Sequence, residues 1–105
     1  MAQQFEQSRQ ILVTSTETNG AFGLIACTLP PFCPSQELRR HAHQLAGCYV
    51  LTGLVALTRD EATITLAAGD FALIRPGEAH RYWNPSPSPA QLLLFFAPGG
   101  AADEP

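Results

Sequence analysis

The chain has 105 residues, of which 46% are hydrophobic and 14% are charged, a composition that predicts one compact domain with a single modest core. Its net charge is -3 and its only adjacent basic residues are Arg39 and Arg40, which argues against nucleic acid and against an anionic membrane surface as partners. The polar start MAQQFEQSRQ and the shortness of every apolar run predict a cytoplasmic protein with no signal peptide and no membrane span.

Short apolar runs closed by Gly, Pro, Asn or Asp follow one another along the chain, a pattern typical of β-strands. No helix of ordinary length fits between them. Eight or nine short strands in so small a chain favour an all-β sandwich or barrel, in which sheet edges are protected. The predicted strands cover residues 11–17, 21–29, 38–43, 47–53, 54–58, 62–67, 71–76, 79–84 and 90–97.

Two segments between these strands are predicted to be turns or loops. TRDEA at 58–62 is interpreted as a tight hairpin turn, and NPSPSP at 84–89 as a loop, because its three prolines lack amide donors. We therefore expect one domain over residues 1–105, with a barrel core over about 21–98 and a flexible tail over 99–105.

The three cysteines, Cys27, Cys33 and Cys48, are an odd number at irregular spacing, and no CxxC pair is present. This spacing indicates free thiols and neither a zinc ribbon nor a redox motif. We expect Cys27 and Cys33 to be packed as small buried side chains.

The histidines fall in two predicted strands, His41 and His43 in the first and His80 in the second. Residues two apart on a strand point to the same face, so His41 and His43 would project side by side. With His80 arriving from another strand, they would form a facial set of three ligands that leaves positions open for water or substrate. The alternative is a polar pair on a solvated face and an unrelated turn histidine.

The surrounding residues resemble the first motif of the cupin superfamily, whose members are small barrels built from two apposed sheets. HAHQLAGCYVLTG supplies its H-x-H pair and its closing glycine, Gly53. The family's glutamate ligand, seven residues before that glycine, is replaced by Ala46. Three neutral ligands around a dication should bind it less tightly or recruit an anion.

The segment GDFALIRPGEAHRYWN resembles the second cupin motif, from Gly69 through Gly77 and His80 to Asn84. Arg75 stands where the family usually has proline. Further on, LLLFFAPGG resembles the last barrel strand of quercetinase-like bacterial cupins, so the resemblance covers roughly residues 28–100. It implies a double-stranded β-helix, also called a jelly roll, and a divalent transition metal (Fe, Zn, Mn, Ni or Cu) on His41, His43 and His80.

Two further residues are expected in the pocket. Cys48 has the strand parity of Ala46 and would be a pocket wall, a reserve soft ligand or simply a packed thiol. Tyr82 has the parity of His80 and would either meet substrate or make a structural hydrogen bond. Catalytic residues are not assigned.

The resemblance implies a small-molecule metalloenzyme. Cysteine dioxygenase and the acetylacetone-cleaving dioxygenase are three-histidine cupins, and the pocket strands here offer no carboxylate for proton abstraction, which favours dioxygenase chemistry on a diketone, flavonol-like or thiol substrate. The alternatives are isomerase or lyase chemistry, a non-catalytic ligand-binding or sensor cupin, or an empty barrel. Because small cupins of this type are commonly dimers, we also expect a homodimer.

Overall fold

The structure is a computed structural model and describes residues 8–34, 40 and 42–99. Within these ranges the chain forms eight β-strands and no helix, and all strand pairings are antiparallel. The predicted all-β class is therefore confirmed. In the described segments there is also no helix that could cross a membrane. The strands are β1 (Ser8–Val13), β2 (Gly23–Leu29), β3 (Leu45–Thr52), β4 (Leu54–Arg59), β5 (Ala62–Ala67), β6 (Phe71–Ile74), β7 (His80–Trp83) and β8 (Ala90–Ala97).

The strands form two sheets, one with the order β1-β2-β8-β3-β6 and the other with the order β5-β4-β7. From β3 onward the chain changes sheet at four of its five connections, so it winds back and forth between them. This winding, with the last strand β8 inserted between β2 and β3, is the double-stranded β-helix that the sequence predicted.

Gly53 makes the short turn from β3 into β4 of the other sheet. Its φ is 83°, in the left-handed region, and a Cβ there would lie 2.6 Å from the Pro89 carbonyl oxygen. Side chains other than hydrogen are excluded on both counts. The closing glycine of the first motif therefore has a steric explanation.

The core lies between the two sheets, where alternate residues of each strand point inward. Burial alternates along β2 and β8, whose paired residues Cys27 and Leu92 are 2% and 0% exposed. Val55 and Leu57 of β4 close the core from the opposite sheet. This two-residue period is the expected signature of strands with one face on an apolar core.

The outer face of the five-stranded sheet is also apolar. Tyr49 and Phe71 are directly paired across β3 and β6, and they are 39% and 56% exposed. The Phe71 ring covers Gly47, where a Cβ would lie 2.5 Å from its Cζ atom. None of the outward-facing residues of β2, β3, β6 and β8 is charged.

The predicted strand over residues 38–43 is wrong in the part that the structure describes. Arg40 has no regular structure, Ala42 and His43 form a turn, and β3 begins only at Leu45. A side-chain contact holds the end of the segment instead: Gln44 Nε2 donates to the Pro98 carbonyl at 2.8 Å. Most residues of the segment 38–43 are polar, so a strand there would have no apolar face to bury.

The first predicted strand, over residues 11–17, is displaced toward the amino terminus. Thr14 and Glu17 form reciprocal bonds, in which the Thr14 amide donates to Glu17 Oε1 at 2.8 Å and the Glu17 amide donates to Thr14 Oγ1 at 3.1 Å. These bonds close a turn, so β1 ends at Val13. The hairpin turn between β4 and β5 is confirmed at Asp60 and Glu61.

Asn84 organises the proline-rich loop after β7, which the sequence predicted correctly. Its side chain is 1% exposed, and Nδ2 donates to the carbonyls of Leu29, Pro30 and Ser88 at 3.2, 3.1 and 2.8 Å. Its Oδ1 accepts from the Ser86 amide at 2.9 Å. One amide thereby satisfies backbone groups that prolines in the loop cannot pair.

We expect Asn84→Ala to lower the free energy of unfolding by about 2–4 kcal/mol, because it leaves buried carbonyls without donors. Urea unfolding monitored by tryptophan fluorescence measures this. Thr52→Ala is the matched control, since its hydroxyl makes an exposed bond to Gln91 at 3.3 Å, and it should cost less than about 0.5 kcal/mol. Equal losses in the two variants would contradict the structural role of Asn84.

Candidate functional site

His80 begins β7 with its side chain on the inner face of the barrel, 5% exposed. Its Nδ1 lies 3.3 Å from the Glu78 carbonyl oxygen. A proton on Nδ1 donates to this carbonyl and puts the lone pair on Nε2, an arrangement that commonly orients a metal-binding imidazole. The position and the contact both suit a ligand.

The other two predicted ligands are placed differently. His43 lies in the turn before β3 and its side chain is exposed, so the prediction that it projects from a strand is wrong. His41 lies outside the described residues. Within the part of the chain that the structure describes, no three His, Cys, Asp or Glu residues are grouped as a metal site. The three-histidine site therefore stays a prediction.

The two histidine-bearing segments nevertheless meet at one end of the barrel. Arg40 Nη1 donates to the Gly77 carbonyl at 2.9 Å, which joins the residue before His41 to the loop before His80. At the start of β3, Ala46 pairs with Ile74, the last residue of β6. Arg40 and the start of β3 are thus neighbours of the loop after β6.

The loop before β7 is also tied to the hairpin of the second sheet. The Asp60 amide donates to the Ala79 carbonyl at 2.7 Å, and the Ala79 amide donates to Asp60 Oδ1 at 3.3 Å. Glu78 Oε1 accepts from the Arg75 amide at 3.0 Å, so its carboxylate is bound to the loop backbone. These contacts hold the backbone that leads into His80.

Ala46 and Cys48 both face the interior, as their parity predicted, and are 3% and 0% exposed. Ala46 therefore puts a methyl group at the inward position where the motif normally has a carboxylate. Burial, and to a smaller extent the neighbouring Cys27 thiol, raises the pKa of Cys48 from 9.0 to about 12. Without a bound metal, Cys48 is thus a neutral packed thiol at neutral pH.

Tyr82 is 8% exposed on the same inner face as His80, and its side chain is hydrogen-bonded to Cys27. Burial raises the pKa of Cys27 from 9.0 to about 11, while Arg9 and the bond to Tyr82 act in the opposite direction. Burial also raises the pKa of Cys33. The hydrogen bond to Cys27 gives the buried Tyr82 side chain a polar partner inside the barrel.

Arg59, the last residue of β4, was not predicted from the sequence as a site residue. In the β4–β7 pairing it is the direct partner of His80, so both side chains leave the same face of the sheet. Arg59 Nη1 donates to the Leu73 carbonyl of β6 at 2.7 Å, which links the two sheets. The sequence could have predicted this position, because Arg59 lies two residues after Leu57 and four after Val55. Residues at this spacing on a strand face the same side, and Val55 and Leu57 face the core.

Comparison with known proteins identifies the family. The family model described as a cupin domain matches residues 26–96. No curated protein matches the sequence. Across eight matched solved structures, the chain spans 65% to 95% of the other chain's length.

Three of these structures are informative. TT1209 from Thermus thermophilus is 27% identical, with a TM-score of 0.77 and coverage of 88% of this chain and 83% of that one. A predicted oxalate decarboxylase from Thermotoga maritima is 20% identical, with a TM-score of 0.78 and coverage of 92% and 88%. The cupin domain of an XRE family transcriptional regulator from Enterobacter cloacae is 18% identical, with a TM-score of 0.76 and coverage of 87% and 95%.

The raised thiol pKa values predict that stability falls in alkali. Unfolded thiols release protons near pH 9, whereas folded Cys27 and Cys48 keep theirs until about pH 11 and 12. Between these values each thiol lowers the free energy of unfolding by up to about 1.4 kcal/mol per pH unit. The chain has no lysine, so fewer other groups titrate there.

Urea unfolding from pH 8 to pH 11 measures this dependence, and the double variant C27A/C48A should show a shallower fall than the parent protein. Tyr49→Phe, which removes an exposed hydroxyl, is the control. If the parent and the double variant lose stability with the same slope, the buried thiols are not the cause.

Proposed function

The chain belongs to the cupin family, and on that premise we propose that it is a metal-binding cupin holding a divalent transition metal on His41, His43 and His80. The observation that carries the proposal is the buried imidazole of His80, which faces the barrel interior. It lies at the end of the barrel where the Arg40 side chain is hydrogen-bonded to the Gly77 carbonyl. The imidazole donors fit Fe, Zn, Mn, Ni or Cu. A bound ion would supply Lewis acidity and orient a small-molecule substrate.

Dioxygenase-type chemistry is the reaction class that we propose. None of the described strand residues that face the interior is Asp or Glu, so the inner wall offers no carboxylate base. Away from His80, Tyr82 and Arg59 the inner wall is mostly apolar, with Val50 and Leu92 fully buried. Reactions that begin with proton abstraction by a carboxylate are therefore less well supported than oxygen chemistry.

The alternative is a ligand-binding or sensor cupin without catalysis. Its support is the match to the cupin domain of a transcriptional regulator, of which this chain covers 95%. At 18% identity this likeness shows the fold alone, and function depends on the site.

Metal analysis of untagged protein tests the site. We expect about one transition-metal ion per chain in the parent protein and a loss of most of it in His80→Ala and in His43→Ala. His43 is exposed in a turn, so its replacement should leave the fold intact. Arg81→Ala is the control, because Arg81 follows His80 but faces outward. Full metal content in both histidine variants would refute the proposed site.

Oxygen consumption by the metal-loaded protein separates the enzyme from the sensor. Acetylacetone and cysteine serve as the diketone and thiol probes, and an enzyme of the proposed class should consume oxygen with one of them while His80→Ala does not. Stoichiometric metal with no turnover of either probe would favour the sensor alternative.

We also propose that the chain forms a homodimer through the outer face of the five-stranded sheet. Tyr49, Leu51 and Phe71 are exposed there, and the face carries no charged side chain in its described central strands. A second copy brings the same uncharged surface, so pairing removes apolar area from water without desolvating a charge. Light scattering should give about twice the chain mass of 11.3 kDa, and Phe71→Arg should give the monomer. A monomeric parent protein would contradict the proposal.

A further inference from the structure

Arg59 places a positive charge beside His80 on the inner side of the barrel. The two residues are direct partners in the antiparallel pairing of β4 with β7, and partners in such a pair project to the same face about 5 Å apart. His80 is buried and Arg59 is half-buried. A cation is therefore built into the end of the barrel where the histidine segments meet.

This guanidinium is only partly satisfied by the protein. Nη1 donates to the Leu73 carbonyl at 2.7 Å, whereas Nε and Nη2 have no hydrogen-bond partner among the described residues. Arg59 also forms no ion pair with a carboxylate in that part of the chain. A partly desolvated charge without a counter-charge is costly, and it favours an anion that supplies one.

Two carboxylates that adjoin Arg59 or the loop before His80 are bound to other groups. Asp60 Oδ1 accepts from the Ala79 amide and Glu78 Oε1 accepts from the Arg75 amide, so both bind loop backbone. The bond to Leu73 meanwhile fixes one nitrogen of Arg59 and limits the positions of the others. The guanidinium is thus held in place with donors left over.

We propose that Arg59 binds the carboxylate group of the ligand of this barrel, with Nε and Nη2 donating to its two oxygens. A planar guanidinium edge matches a carboxylate in this paired geometry. A small carboxylate bound there would extend its other end toward His80. The inference deepens the proposed function, because it names the ligand class of the same site, but the contact itself does not require the metal.

Malonate is the probe, and calorimetric titration of the metal-chelated full chain measures its binding at constant ionic strength. We expect malonate to bind and its neutral isostere malonamide not to bind. Arg59→Gln should weaken malonate binding by roughly 10-fold or more, because charge-assisted bonds are lost, and Arg59→Lys should retain part of the affinity. Arg81→Gln should bind as the parent protein does, since Arg81 is an exposed cation one residue from His80 on the outward side.

The inference is overturned if malonate does not bind, if malonamide binds equally well, or if Arg59→Gln binds malonate unchanged. The last result would leave Arg59 as a link between the sheets only. Should Arg59→Gln fail to fold, the Nε–H resonance of Arg59 in the parent protein decides, because malonate must shift it and chloride must not. Metal content is measured in parallel: Arg59-dependent malonate binding by a chain that takes up no metal would refute the proposed function and leave this inference standing.

Discussion

The alternation of inward and outward side chains along each strand is the constraint on which the rest of this structure depends. On β2 and β8 it puts an apolar residue inward at every second position, and the two sheets enclose these residues as one core. The same alternation brings His80, Arg59 and Cys48 to the interior. A shift of one residue on any of these strands would expose its apolar set, so core packing also holds the polar residues in register.

Hydrogen bonds to the backbone of the loop before β7 position the site where strand pairing ends. The loop before β7 is held by Arg40 on one side and by Asp60 on the other, at the end of the barrel where His80 enters. Because these bonds join three separate parts of the chain, the neighbourhood of His80 depends on tertiary structure. Side chains held in this way can present ligands without the support of a long strand.

The interior of this barrel carries a positive charge and lacks the carboxylate of the usual cupin motif. A methyl group at Ala46 replaces a carboxylate on the inner wall, and Arg59 adds a positive charge on the opposite sheet. The missing carboxylate and the guanidinium both make the interior more positive, in line with the carboxylate ligand that we propose. The buried thiols of Cys27 and Cys48 do not offset this charge at neutral pH, because burial keeps them protonated by raising their pKa.

The sequence by itself determined the all-β class, the bounds of β5 and β8, the proline-rich loop and the inward parity of Cys48 and Tyr82, because these depend on local periodicity and on the missing amides of proline. Only the tertiary structure decided that His43 lies in a turn, that Tyr82 is bonded to Cys27 and that Arg59 lies opposite His80. The reason is physical: strand pairing and contacts between loops join residues that are far apart in the chain, and such pairings produce no periodic pattern in the sequence.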